Sequence, residues 1–77
     1  MKTVSLARFK TGEKGRIHEI QGTALLQNRL SSMGLYPGRE IVKMSQFAMR
    51  GPVAIKVGRG VLAVGHTVAA KIFLETA

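Results

Sequence analysis

Apolar residues alternate with polar ones in short runs along most of the chain, and one segment breaks that rhythm. Residues 16–20, 53–57, 61–64 and 71–75 read as strands, because alternate side chains of an extended chain face opposite sides. In the first of them Ile17 and His18 take opposite faces. Residues 40–47 also read as a strand, but Ile41 and Phe47 share a parity with Lys43 and Ser45, while Val42 and Met44 hold the other. That mixed pattern predicts a bulge or strong bend, as a curled sheet needs. Residues 10–15 read as a polar turn, 48–52 as a loop, Gly58-Arg59 as a tight hairpin turn, and residues 66–70 as a short helical turn.

The exception is the segment from Thr23 to Met33. Leu26, Leu30 and Met33 fall at i, i+4 and i+7, one face of a helix. Thr23 is suited to the N-cap, where its hydroxyl accepts from a free N–H of the first turn. Gly34 can take the left-handed conformation that stops the helix, and Leu35 can fold back on Leu30. Tyr36-Pro37-Gly38-Arg39 then suits a type II turn. The expected fold is mainly β: a small, closed or nearly closed barrel of about five strands, with one inserted helix near 23–33. The chain of 77 residues is expected to form one domain, 1–77.

Charge narrows the list of partners. Twelve Lys and Arg stand against four Glu and no Asp, a formal net charge of +8. Such a surface suits nucleic acid, anionic lipid or an acidic protein face. The cations are spread, without the block that a nucleic-acid tail carries. There is no Cys, so neither a disulfide nor a thiolate metal site can form. No apolar run reaches the length of a signal peptide core or a membrane span, and a soluble, cytoplasmic protein is expected.

Catalytic chemistry is sparse. His18 and His66 are far apart in sequence, no serine stands in a nucleophile-elbow setting, and no pair of glutamates is marked. Gly58, Gly60 and Gly65 fit neither phosphate-loop spacing and read as hairpin glycines. No enzyme activity and no cofactor are expected. For a metal, only the two His, the Glu and the Met residues offer donors; His18 and Glu19 should point to opposite faces, and Met33 and Met44 read as core fillers. Fe(II) or another transition metal is therefore expected to bind weakly or between subunits, if at all.

Leu30-Ser31-Ser32-Met33-Gly34-Leu35-Tyr36-Pro37-Gly38 resembles the L-x-x-M-G-L-x-P-G signature of the FeoA family. Leu6, Gly12, Gly15 and Ile17 resemble the family's opening, and Gly51-Pro52-Val53, Val57, Leu62-Ala63-Val64, Ala69 and Ile72 its closing segment. The likeness spans about residues 4–75. It departs where Arg50-Gly51 precedes Pro52 in place of an acid, and at Val64-Gly65-His66-Thr67 in place of a Leu-Arg pair and a charged turn. Leu30, Met33, Gly34, Leu35, Pro37 and Gly38 have physical roles in the helix stop and turn, so the signature argues for fold more than for a site.

The resemblance implies an SH3-like barrel with the helix inserted between its first and second strands, similar to the C-terminal domain of iron-dependent repressors. It also implies a non-enzymatic accessory or regulatory role in bacterial ferrous iron transport, through contact with the cytosolic part of a FeoB-type membrane transporter. Candidate contact residues are Tyr36, Arg39, Phe47, Met49 and Arg50, since aromatics and arginines dominate interfaces and arginine grips carboxylates bidentately. Phe47 equally suits the core. The alternatives are a basic barrel that binds nucleic acid and a metal-responsive module.

Overall fold

The structure, a computed structural model, describes residues 2–48 and 50–76. Its strands are β1 (Thr3–Ser5), β2 (Lys14–Ile20), β3 (Glu40–Gln46), β4 (Val53–Val57), β5 (Gly60–Val64) and β6 (Ile72–Thr76); helix α1 is Ala24–Ser32 and helix α2 is His66–Ala69. A 3-10 turn, Leu6–Arg8, follows β1. All pairings are antiparallel, in the order β1-β6-β2-β3-β4-β5. The expected five strands are therefore joined by a sixth, β1, too short for its alternation to register. Among the described residues no ladder joins β1 to β5, so the sheet is curled and nearly closed, with two edges. α1 sits between β2 and β3, not between the first two strands, because β1 precedes them.

Curling comes from two bulges. The β3–β4 register shifts between Lys43 and Ser45, as the mixed parity predicts. A second shift, between Ile17 and Glu19 of β2, leaves His18 as the extra residue opposite β6. β2 also starts earlier than expected, so Gly15 is a strand residue. A Cβ there would lie 2.6 Å from Cζ of buried Phe9 and 2.9 Å from the Glu75 carbonyl oxygen. Inside the curl lie Leu6, Ile17, Leu35, Ile41, Val53, Ile55, Ile72 and Leu74, each with almost no exposed surface.

The connection from α1 to β3 follows the expected local chemistry. The Leu26 N–H donates to Thr23 Oγ1 at 3.2 Å, capping the helix. At the other end Gly34 has φ +90°, its N–H donates to the Ser31 carbonyl at 3.0 Å, and the Leu35 N–H donates to the Leu30 carbonyl at 2.8 Å. These two bonds make a Schellman stop, and they drive Leu35 into the core beside Leu30. Arg39 N–H then donates to the Tyr36 carbonyl at 3.1 Å, closing the turn over Pro37-Gly38. Because an L side chain is disfavoured at positive φ, Gly34→Ala is expected to cost about 1 kcal/mol, read as a lower urea midpoint at unchanged m-value.

Three side chains depart from expectation. Met33 and Met44 are exposed at 43% and 45%, not core fillers. For Met33, the helix already ends at its C-cap, so its side chain lies at the rim of the core. Met44 follows inward-facing Lys43 at the bulge and takes the outer side. Phe47 is 82% exposed, beyond the end of β3, which removes the core reading of that residue.

Candidate interaction surface

The outer face of the sheet is built by register. Lys14 of β2 lies opposite Val42 of β3, Val42 opposite Lys56 of β4, and Lys56 opposite Val61 of β5. This row puts two cations and two apolar side chains on one face. Arg39 closes it at the corner where the α1–β3 turn enters β3. Its guanidinium lies 5.9 Å from the Tyr36 ring centroid, and Nη1 donates to Tyr36 Oη at 3.1 Å. The same guanidinium covers the β4–β5 hairpin: a Cβ at Gly58 would meet Nη2 at 2.6 Å. Arg39 is thus held on both sides. Lys14, Arg39, Glu40, Val42, Lys56 and Gly58 line an open cleft of about 370 Å³. Its one acid, Glu40, lies 3.8 Å from Lys14, and among the described residues no carboxylate pairs with Arg39 or Lys56. From Val42's neighbour Ile41 to Leu74 the chain contains no acid at all.

The candidate contact residues split into two groups. Tyr36 and Arg39 form the corner just described. Phe47 and Arg50, both exposed, sit in the β3–β4 loop at the far end of β3. β3 has seven residues, which at about 3.3 Å each separates the groups by roughly 20 Å. The structure therefore does not bring all the candidates into one patch. Met49 lies outside the described residues.

Lys43 is the residue that sequence reading missed. It is only 2% exposed, and it points into the core from β3. Its Nζ donates to the carbonyls of Phe9 at 2.6 Å, Leu6 at 3.2 Å and Ala7 at 3.4 Å, and to Gln46 Oε1 at 2.7 Å. The ammonium gathers carbonyls at the end of the 3-10 turn; that of Leu6 also accepts from the Phe9 N–H at 3.2 Å. Burial lowers its pKa from the ordinary value, and the charge of Glu13 opposes that in part. The signal was present as a lysine on the inward parity of a bulged strand.

Metal chemistry finds little support in geometry. Among the described residues no group of three or more His, Cys, Asp or Glu side chains converges. His18 does find a carboxylate, but it is Glu75 across the bulge, with Nδ1 and Oε1 2.6 Å apart. His66 is the first residue of α2, and its buried Nδ1 has no hydrogen-bond partner among the described residues.

Comparison with known proteins gives the fold its relatives. The model of the FeoA domain matches residues 4–76. None of the curated proteins matches the chain. A crystal structure of an iron uptake regulatory protein (FeoA) superposes with a TM-score of 0.88 at 30% identity, covering 100% of both chains. Iron(II) transport protein A from Clostridium thermocellum gives a TM-score of 0.88 at 26% identity, over 96% of this chain and 46% of that one. A manganese-dependent transcriptional repressor gives 0.88 at 13% identity, over 97% of this chain and 42% of that one, a likeness of fold alone. The architecture is thus the SH3-like one shared with these proteins, and the chain belongs to the FeoA domain family, which is linked to ferrous iron transport.

Proposed function

We propose that the chain is a non-enzymatic accessory protein of bacterial ferrous iron transport, working in the cytoplasm by docking on the cytosolic part of a FeoB-type transporter. The observation that carries this reading is the outer sheet face, where Lys14, Arg39 and Lys56 surround one cleft and a single acid answers them. Such a face attracts carboxylates, and Arg39, pinned between Tyr36 and the hairpin, loses little freedom on gripping one. Among the described residues no helix is long and apolar enough to cross a membrane.

Nucleic-acid binding is less well supported. Small barrels hold single strands by stacking bases on several aromatic faces. Here Phe9 is buried and Phe73 half-buried; only Tyr36 and Phe47 are exposed, at opposite ends of β3. A metal-responsive role would have to start from the single His18–Glu75 pair.

The test is co-purification with the cytosolic region of the matching transporter at micromolar concentration. Retention is expected, and the double variant Arg39→Ala/Lys56→Ala should weaken it about thirtyfold or more, since charge-assisted contacts are each worth about 1 kcal/mol or more. No enrichment of the wild-type chain would count against docking.

A further inference from the structure

β5 is an open sheet edge with none of the usual protection. One side of Gly60–Val64 pairs with β4 in unbroken register; among the described residues no strand pairs with the other side. Among the described residues no backbone hydrogen bond outside the sheet reaches residues 60–64. The β4–β5 hairpin closes through Gly58-Arg59, so Val57 and Gly60 form its first hydrogen-bonded pair. By alternation Leu62 and Val64 also bond to β4, while the N–H and C=O groups of Val61 and Ala63 point away from the sheet. Edges of soluble proteins are ordinarily blunted by a charge, a proline or a bulge. Gly-Val-Leu-Ala-Val has none of them, and Val61 is 60% exposed. The opposite edge, β1, is only three residues long.

We infer that β5 is the acceptor for an extended, acidic segment of a partner protein, which adds to the sheet as a further antiparallel or parallel strand. The inference rests on the docking reading for the partner's identity, and on the edge itself for the mode of contact. Charge selects the occupant. The neighbouring cations are Lys56, directly opposite Val61, and Arg59 in the hairpin turn; Arg50 lies in the loop at the Val64 end, and residues 41–74 offer no acid to answer them. A second copy of this chain would bring two such cation sets, each on a chain of net charge +8, against one another. A peptide with acidic side chains at alternate positions meets both demands: its backbone satisfies Val61 and Ala63, and its carboxylates face Lys56 and Arg59.

The probe is a capped seven-residue peptide of alternating glutamate and valine, titrated into the ¹⁵N-labelled chain. The expected result is saturable shifts at the amides of residues 60–64. A second peptide of the same sequence, N-methylated at every residue, keeps the charges but loses the donors and should bind at least tenfold more weakly. Ala63→Pro should do the same from the protein side, since it removes an outward N–H without touching the ladder to β4. Equal binding of the methylated peptide would show charge attraction alone and overturn the proposal. So would no binding at millimolar peptide, or shifts confined to the Tyr36–Arg39 corner, or self-association of the wild-type chain that Ala63→Pro abolishes. Ala63→Pro also separates this proposal from docking. If the transporter's cytosolic region binds wild type and Ala63→Pro equally, the edge proposal fails and docking stands. If that region binds neither, docking fails, and the two peptides alone decide the edge.

Discussion

Replacing Lys43 by alanine is expected to cost about 3 kcal/mol or more, a large share of the roughly 4–11 kcal/mol that a domain of this size has in total. The substitution removes an ammonium that satisfies the Leu6 and Phe9 carbonyls and Gln46 Oε1, and it leaves a cavity in the core. Lys43→Met fills most of the volume and loses only the hydrogen bonds of the ammonium, so its cost should be smaller, about 1–3 kcal/mol. Urea titrations at neutral pH read both values; an alanine variant within about 0.5 kcal/mol of wild type would mean that the carbonyls are hydrated and the lysine is not a structural tie. The pH dependence gives a second readout. Burial sets the folded pKa of Lys43 below its unfolded 10.5. Between those two values the unfolded chain holds more protons than the folded one, so wild-type stability gains on Lys43→Met as pH rises through that window.

The second large effect is expected at Leu35. Leu35→Ala should cost about 3 kcal/mol, because the side chain is fully buried and the Schellman stop leaves the backbone little room to collapse around the hole. Met33→Ala, two residues earlier in the same signature, should cost no more than about 0.5 kcal/mol, since Met33 is 43% exposed. Matching costs at the two positions would refute the division of the signature into a buried anchor and a rim residue.

What the sequence made legible was chemistry that closes within a few residues. Thr23 caps its own helix, Gly34 stops it, Pro37-Gly38 turn the chain, and the mixed parity around Lys43 marks the bulge; each depends on neighbours three or four positions away. What it hid was chemistry that closes over long distances. The carbonyl acceptors of Lys43 lie 34 to 37 residues earlier, and its inward parity alone could not reveal them. β1 exists only because β6 pairs with it. Periodicity placed Met33 on the apolar face of α1 but could not say how far the sheet extends to cover it. The candidate surface was legible in the same partial way. Residue type singled out Tyr36, Arg39, Phe47 and Arg50, while the length of β3 divides them. Lys14 and Lys56 join Arg39 only through the register of three strands.

The central claim is that a cationic sheet face docks an acidic partner, and calorimetric titration of the full chain with the transporter's cytosolic region, at low and at high salt, tests it most directly. One-to-one binding in the micromolar range that weakens about tenfold between roughly 50 and 300 mM salt is the expected result, because the contacts are exposed charges and the Debye length falls from about 14 Å to about 6 Å over that range. Absence of binding at both concentrations, or binding indifferent to salt, would contradict it.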